Sequence, residues 1–542
     1  MTGAVTATVI DAGDGLPLTV GALLAERAAE HGDRPLLVVD DDVLTYADAD
    51  RRSAELARAL LAAGLGGGSR VALLHPNGAE FVIGWLAAAR IGAVSVPLST
   101  FSTPTELVGL LLGADVTAVL AAAGYRNQDF VASLSGAISE LDLAAPGPLL
   151  SPSVPSLRRI AFASAPEGAD ADWTLDGLRG LAERIDPEVL DAAESDVAPS
   201  DPMVIVHTSG STSAPKGVVH GHGALIRHLD NLNQMRRYAP DEVLFANSPF
   251  FWIGGFAYSL LGTLVAGARL VASNSAEAGG VLDVIERERP TMVNGFAAGV
   301  AHLPKDPSFA RRDLSSIQRG NLHPIMPEAA RPADPELRHA MLGMTEAGSV
   351  CLASEDESDQ PEHRRGSFGR PVPGFEAEVR DESGAAVPAG EVGVLWFRGP
   401  FLMQGYDGRE RHRTFDADGW YSTGDLVSVD ADGFVYFKGR DSDMIKTAGA
   451  NVSPREVEAA ILEETGLTAH VVGVEHPERG QVVSALIRST DPVDVDDLRT
   501  RLRGRLSAYK VPKQVRVVPD SEVPIMSSGK LDLRALKEMF GD

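Results

Sequence analysis

The chain has 542 residues and a net charge of −26, from 49 basic and 75 acidic residues. This length predicts two or more domains, and the acidic charge opposes binding to nucleic acid or to an anionic membrane. One cysteine, Cys351, excludes an internal disulfide and a cysteine-rich metal site, and it fits a reducing, cytoplasmic setting. The N-terminal residues lack the pattern of a signal peptide, and no apolar run is long enough for a transmembrane segment.

Apolar strands alternate with helical periodicity through the first 300 residues. The predicted strands cover residues 36–39, 43–46, 70–74, 93–97, 117–121, 243–247, 269–272 and 291–294. The predicted helices cover residues 23–30, 48–61, 78–90, 105–112 and 221–238. Strand–helix–strand at this spacing predicts doubly wound, parallel α/β sheets.

A polar loop interrupts this pattern between Val204 and Val219, in the sequence VIVHTSGSTSAPKGVV. Hydroxyl groups, glycine backbone amides and one lysine on a loop after a strand predict a polyphosphate site. The predicted nucleotide-binding residues are Thr208, Ser209, Gly210, Ser211, Thr212 and Lys216. The loop is not a Walker A motif, because Pro215 precedes the lysine and Gly217 follows it. A solvated Ser/Gly loop is the simpler interpretation of this segment alone.

The sequence changes character after residue 374. Strands over 376–380, 392–398, 426–429 and 434–438 are separated by Asp-Gly turns, which predicts a small antiparallel subdomain. A new alternation of helix and strand follows to the end, as expected for a small α+β domain. We therefore predict an N-terminal domain over 1–441, a mobile C-terminal domain over 442–542, and a hinge near Ser442.

Five ordered motifs resemble those of the adenylate-forming superfamily, which contains acyl-CoA synthetases, peptide-synthetase adenylation domains and luciferases. They are the polar loop above, LGMTE at 342–346, YSTGD at 421–425, KGRDSDMIK at 438–446 and SSGKL at 527–531. The chain departs from the usual pattern at Ser213, where Gly is usual, and at Leu342, where Tyr is usual. The usual Gly-Gly loop for adenine is absent, and residues 319–324 read RGNLHP instead.

The resemblance implies a role for each motif. It implies that Thr345 contacts the α-phosphate of ATP, that Glu346 helps to hold Mg²⁺, and that Asp425 binds the ribose hydroxyls. Arg440 and Gly449 are implied as further nucleotide-binding residues. The resemblance also implies that Lys530 is the catalytic lysine of adenylation, and that Lys446 acts in the second half-reaction.

The acyl pocket is expected to begin at Trp252. Members that activate amino acids place an Asp at this position, and Trp252 cannot pair with an ammonium group. We therefore expect a hydrophobic carboxylic acid as substrate. The candidate pocket residues are Trp252, Gly254, Gly255, Phe256, Phe296 and Gly343. The alternative for these residues is ordinary core packing, which we expect for about half of them.

The resemblance implies formation of an acyl-adenylate and pyrophosphate from the acid and ATP, with coenzyme A taking the acyl group. Two alternatives stay open. In one, the acceptor is the thiol of a carrier protein or a separate partner. In the other, suggested by Ser213, Ser442 and the missing adenine loop, the protein binds nucleotide without catalysis. The sequence leaves the oligomeric state open, with a homodimer as one arrangement.

Overall fold

The computed structural model describes residues 5–6, 15–164, 166–208, 215–440, 444–524 and 531–541. The backbone alone is described at positions 5, 6, 440 and 521. The predicted α/β class, with doubly wound sheets and an antiparallel subdomain, is confirmed.

A seven-stranded sheet carries the strands on both sides of the polar loop. Its order is Gly405–Tyr406, Lys216–Gly221, Pro202–Thr208, Val94–Pro97, Arg70–Leu74, Ala118–Ala121 and Arg159–Phe162. The last five strands run parallel, and the first two are antiparallel to their neighbours. The central strands are almost continuously buried, as expected for a sheet covered on both faces.

A six-stranded sheet forms the second layer. Its order is Arg319–Gly320, Met292–Asn294, Val243–Ala246, Arg269–Ala272, Pro35–Val39 and Asp42–Thr45. All of these strands are parallel except the last, which forms a hairpin with its neighbour.

Helices cover and separate the two sheets. The α-helices are Val20–His31, Tyr46–Ala62, Ala79–Arg90, Pro104–Gly113, Phe130–Ala137, Leu175–Arg179, Pro187–Asp196, His222–Met235, Gly262–Ala266, Ala278–Glu288, Ala297–Val300, Pro454–Thr465, Val495–Arg503 and Leu533–Glu538. A π-helix covers Gly254–Leu261. The Ala79–Arg90 helix is buried on almost every side, and Gly84 allows it to approach Leu73 and Leu120 of the first sheet closely.

Smaller sheets complete the large domain. An antiparallel sheet contains Val5–Thr6, Glu376–Arg380, Val392–Arg398, Tyr421–Val429 and Val435–Arg440. A three-stranded sheet contains Leu342–Met344, Ser349–Ala353 and Arg370–Pro371, and a short hairpin contains Gly124–Tyr125 and Gln128–Asp129.

The C-terminal domain, as described over residues 444–524 and 531–541, has its own mixed sheet. Its strands are Ile445–Thr447, Ala450–Val452, Ala469–His476, Gly480–Arg488 and Gln514–Val518. The predicted hinge at Ser442 lies outside the described residues. Among the helices that are described, none combines the length and apolar composition needed to cross a membrane.

Candidate active site

A cleft of about 1140 Å³ lies where the large domain meets the C-terminal domain. Its walls include Thr208 and Lys216 beside the polar loop, Glu346, Trp252, and Gly449 of the C-terminal domain. Several of the predicted site residues, which are far apart in the sequence, therefore face one space.

The polar end of the cleft is built around Lys216, Tyr406 and Glu346. The Lys216 ammonium lies 5.1 Å from the centre of the Tyr406 ring. The Tyr406 hydroxyl donates a hydrogen bond to Glu346 Oε1 at 2.8 Å, and it lies 3.1 Å from the Tyr421 hydroxyl. Burial lowers the pKa of Lys216, with a further contribution from Arg409, while Glu346 opposes the shift.

The backbone of Thr345 is held by a buried histidine. Thr345 and Glu346 begin a short 3₁₀ turn after the Leu342–Met344 strand. His220 Nε2 lies 2.7 Å from the Thr345 carbonyl oxygen, so this nitrogen must carry the hydrogen. Burial lowers the pKa of His220 to about 4. The imidazole is therefore neutral near pH 7, and its donor position is fixed.

Glu346 fits the chemistry of a magnesium site supported by phosphate oxygens. Magnesium prefers carboxylate and phosphate oxygens and keeps several waters, so one protein carboxylate can be enough. Among the described residues, including those around Glu346, no group of three or more His, Cys, Asp or Glu side chains could hold a metal ion. Magnesium at this site would therefore depend on Glu346 and on the bound nucleotide.

Aromatic side chains form the apolar end of the cleft. The Trp252 ring lies 5.5 Å from Phe296 and 5.5 Å from Phe251, in edge-to-face arrangements. Phe101 does not line the cleft; its ring lies 5.4 Å from Phe251 and packs against this aromatic wall. Gly254 and the motif residue Gly343 also line the cleft. These surfaces can bind an apolar group next to the polar end.

Two predicted pocket residues do not line the cleft. Phe256 is fully buried and packs edge-to-face on Trp85 at 5.1 Å. A Cβ atom at Gly255 would lie 2.0 Å from the carbonyl oxygen of Pro249, so this glycine allows two backbone segments to approach. Both residues therefore belong to the packed core around the π-helix and lie outside the cleft.

The segment that departs from the usual adenine loop contributes Asn321 to the cleft wall. The Asn321 side chain accepts a hydrogen bond from the Gly295 amide and donates one to the Gly295 carbonyl, both at 3.0 Å. The neighbouring residue Phe296 is held in the same way by Asn247, at 2.9 Å in both directions. Two asparagines thus fix the loop that carries Phe296.

The C-terminal domain inserts a hairpin tip into the cleft. Gly449 has a φ of +87°, and a Cβ atom there would lie 2.7 Å from Phe296 Cδ1. Lys446 lies in the same hairpin, and its ammonium is 5.2 Å from the centre of the Phe437 ring. The backbone amide of Lys446 donates to Gln481 Oε1 at 3.0 Å. The tip is therefore close to Phe296 of the aromatic wall, whereas Lys446 lies beside the antiparallel sheet.

The predicted ribose site lies on the Tyr421–Val429 strand. Asp425 is buried, and its backbone amide donates to Thr423 Oγ1 at 3.0 Å. Thr423 and Gly424 line the cleft, and Asp425 is paired across the sheet with Arg440.

Part of the predicted site lies outside the described residues. This part comprises Ser209, Gly210, Ser211, Thr212, Ser442, Lys530 and the side chain of Arg440. Their roles stay predictions.

The sequence gives no signal for Tyr406, which lines the cleft, or for His220, which contacts the cleft residue Thr345. Tyr406 is 60 positions from Glu346, and His220 is 125 positions from Thr345. Neither residue belongs to a motif with recognisable spacing, so no local signal identifies it.

The single cysteine lies next to the Thr-Glu motif. Cys351 is on the strand that pairs with Leu342–Met344, and its thiol donates to the Leu342 carbonyl at 3.3 Å. The residue is fully buried, and burial raises the pKa of its thiol. The thiol therefore stays protonated at neutral pH.

Comparisons with known proteins agree over nearly the whole chain. Residues 24–407 match the family described as AMP-binding enzyme, and residues 456–530 match the AMP-binding enzyme C-terminal domain. A feruloyl-CoA synthase from Amycolatopsis sp is 33% identical over 513 residues, covering 92% of this chain and 94% of that protein. The mitochondrial medium-chain acyl-CoA ligase ACSF2 of Mus musculus is 28% identical, covering 96% and 87% of the two chains. The solved structure of the amide bond synthetase McbA from Marinactinospora thermotolerans has a TM-score of 0.76 and 27% identity, with 95% of this chain and 99% of that chain covered.

Proposed function

The chain belongs to the AMP-binding enzyme family, as the five motifs predicted, and from this premise we propose that it activates a hydrophobic carboxylic acid and transfers the acyl group to coenzyme A. The first half-reaction uses ATP. A carboxylate oxygen attacks the α-phosphorus, the bond to the β-phosphate oxygen breaks, and acyl-adenylate and pyrophosphate form. In the second half-reaction the thiol sulfur attacks the acyl carbonyl, the thiol loses its proton, and AMP leaves.

One observation carries this proposal. The Lys216–Tyr406–Glu346 group and the aromatic wall of Trp252 and Phe296 face the same cleft. A reaction between an apolar acid and a polyphosphate needs these two environments side by side, because the reacting atoms belong to one polar and one apolar molecule.

Electrostatics explain the need for cations at the polar end. The carboxylate and the triphosphate are both anions, and the chain itself has a net charge of −26. The ammonium of Lys216 is half-buried, where a charge interacts more strongly than it would in water. Magnesium held by Glu346 would neutralise phosphate charge, and Lys530 is the proposed lysine at the reacting centre.

The aromatic wall supports a hydrophobic acid as the substrate class. Trp252 offers no carboxylate for an α-ammonium group, and Phe251 and Phe296 extend the apolar surface on either side. Similarity to the feruloyl-CoA synthase supports an aryl acid, and similarity to the medium-chain acyl-CoA ligase supports a fatty acid. We propose a bulky aryl or fatty acid, and not an α-amino acid.

The test is ATP–pyrophosphate exchange with a panel of cinnamic acids, medium-chain fatty acids and α-amino acids. We expect exchange with one of the first two classes and none with the third. Preference for an amino acid would refute the proposed substrate class. Absence of exchange with every acid would favour the alternative of a protein that only binds nucleotide.

The acceptor is tested by a second incubation. Adding coenzyme A to the active mixture is expected to give an acyl-CoA thioester, detected by mass spectrometry. Exchange without a thioester would point to a carrier-protein thiol or to an amine, the latter in line with the similarity to an amide bond synthetase.

A further inference from the structure

A buried ion cluster joins the two domains at the rim of the cleft. The Lys510 ammonium, on the C-terminal domain, lies 2.6 Å from Glu106 Oε1 of the large domain and 2.8 Å from Glu456 Oε1 of its own domain. The Lys510 side chain is only 8% exposed, and the two carboxylates are 14% and 13% exposed. Ser507 Oγ also donates to Glu106 Oε2 at 2.7 Å. Four groups are thus brought together across the domain boundary.

Glu106 is held ready for this contact by its own helix. It is the third residue of the Pro104–Gly113 helix and forms a capping box with Thr103. The Thr103 backbone amide donates to Glu106 Oε2 at 2.8 Å. The cap fixes the rotamer of the glutamate before the C-terminal domain arrives, so little side-chain entropy is lost when the contact forms.

The contact can also separate without stranding a buried charge. If the C-terminal domain moves away, Lys510 keeps Glu456, because both residues lie on that domain. Glu106 keeps the capping box on the large domain. Breaking a buried ion pair is costly when one charge stays buried without a partner. Here Lys510 keeps an ion pair, and the Glu106 carboxylate keeps its hydrogen bond at the start of a helix, where negative charge is favoured. The cluster therefore suits a contact that opens and closes.

The same domain arrangement places Gly449 against Phe296. A second contact accompanies it, in which Tyr509, next to Lys510, lies 6.4 Å from the Phe101 ring, which packs against the aromatic wall. Lys510 and the hairpin tip belong to the same domain, so one orientation of that domain makes both contacts. As long as the ion cluster is formed, the C-terminal domain keeps the Gly449 tip at the aromatic wall.

We propose that Glu106 is a positioning residue for acyl transfer. Through its contacts with Lys510 and Ser507, it holds the C-terminal domain so that the Gly449 tip lies at the aromatic wall. This inference rests on the proposed function, because it assigns the observed arrangement to the second half-reaction. In this proposal, adenylation belongs to a second arrangement of the domains, which lacks the contact between Glu106 and Lys510.

The test variant is Glu106→Gln. Glutamine preserves the capping box and the shape of the side chain, and it removes the negative charge that faces Lys510. Acyl transfer is measured in a single turnover with coenzyme A and supplied cinnamoyl- or octanoyl-adenylate, whichever acid gives faster exchange. We expect transfer to slow by roughly tenfold or more, because a charge-assisted contact is lost, and ATP–pyrophosphate exchange to be retained.

A matched control exists on the same boundary. Lys305 and Glu478 form a second ion pair between the domains at 3.2 Å, with side chains that are 72% and 70% exposed. Exposed pairs contribute little, so Glu478→Gln is expected to leave both half-reactions at the parental rate. Thermal unfolding of both variants checks that the fold is intact.

A rescue experiment separates positioning from chemistry. Lys305→Cys and Glu478→Cys are joined by a short bismaleimide, and buried Cys351 is shielded from the reagent. We expect the cross-link to restore transfer in the Glu106→Gln protein, because the domains are then held by the linker. A failure to rescue, or a Glu106→Gln protein that transfers at the parental rate, would overturn the inference. If the parental protein shows neither exchange nor transfer, the proposed function itself fails.

Discussion

Gly449 provides the most direct test of the domain arrangement. A Cβ atom at this position would lie 2.7 Å from Phe296 Cδ1, 2.8 Å from Cγ and 3.1 Å from Cε1. Real carbon contacts of this kind are about 3.5 Å or longer, so Gly449→Ala forces the tip and the ring apart by close to 1 Å. The nucleotide-binding role that the resemblance implies for Gly449 stays a prediction, and the contact observed here is with Phe296. We therefore expect acyl transfer to fall more than adenylation.

The size of the effect follows from the contact and not from the backbone. Alanine at a φ of +87° is strained by about 1–2 kcal/mol, but this strain is present in every domain arrangement and cancels in the comparison. The clash exists only when the tip is at Phe296. Overpacking of this kind costs about 1–3 kcal/mol, which corresponds to roughly a 5- to 150-fold slower transfer.

Gly466 is the matched control for this prediction. It ends the Pro454–Thr465 helix in the same domain with a φ of +71°, and no heavy atom lies within 4 Å of a Cβ atom built there. Gly466→Ala therefore carries similar strain without the clash. Single-turnover transfer from supplied acyl-adenylate and ATP–pyrophosphate exchange are measured for both variants. Equal slowing in both, or unchanged transfer in Gly449→Ala, would refute the reasoning.

Other predictions concern the polar end of the cleft and the buried histidine behind it. Tyr406→Phe removes the hydrogen bond to Glu346, so we expect ATP–pyrophosphate exchange to fall by about tenfold and to need a higher Mg²⁺ concentration. An unchanged Mg²⁺ titration would contradict this role. Lys216→Met is expected to lower exchange by at least about tenfold, through the lost cation, while transfer from supplied acyl-adenylate continues; equal loss of both half-reactions would count against the assignment. The folded-state pKa of His220 is about 4, below its ordinary value of 6.5, so the unfolded state binds more protons between these values and stability falls as the pH drops from 6.5 to 4. At pH 5 this one group costs about 2 kcal/mol, so urea unfolding of His220→Gln should show a smaller loss of stability between pH 7.5 and pH 5 than the parental protein. An equal loss in the two proteins would contradict this role of His220.

The regular elements follow closely from the sequence where apolar runs end at clear turn signals. The strands Arg70–Leu74, Glu376–Arg380 and Val392–Arg398 have the predicted bounds. The helix Pro187–Asp196 was not predicted, because it buries only Leu190 and so has almost no apolar periodicity. The periodicity of apolar residues cannot identify a helix that buries so few of them.

The candidate site is predictable only in part, for a similar physical reason. Motif residues such as Thr345 and Glu346 have defined neighbours in the sequence, which identify them. Glu106 and Lys510 are 404 positions apart, and nothing near either residue indicates that they meet. Phe256 and Trp252 have the same apolar character in the sequence, and only the packing of the π-helix separates a core residue from a cleft residue.

The buried cysteine has a consequence for the fate of the activated acid. An acyl-adenylate is an electrophile, and a nearby thiolate would be acylated in place of the acceptor. Cys351 is a few residues from Glu346, yet its thiol is enclosed, donates to a backbone carbonyl and has a raised pKa. Thiols react as thiolates, so this sulfur cannot compete for the acyl group. The chain is thereby protected from self-acylation at its sole cysteine.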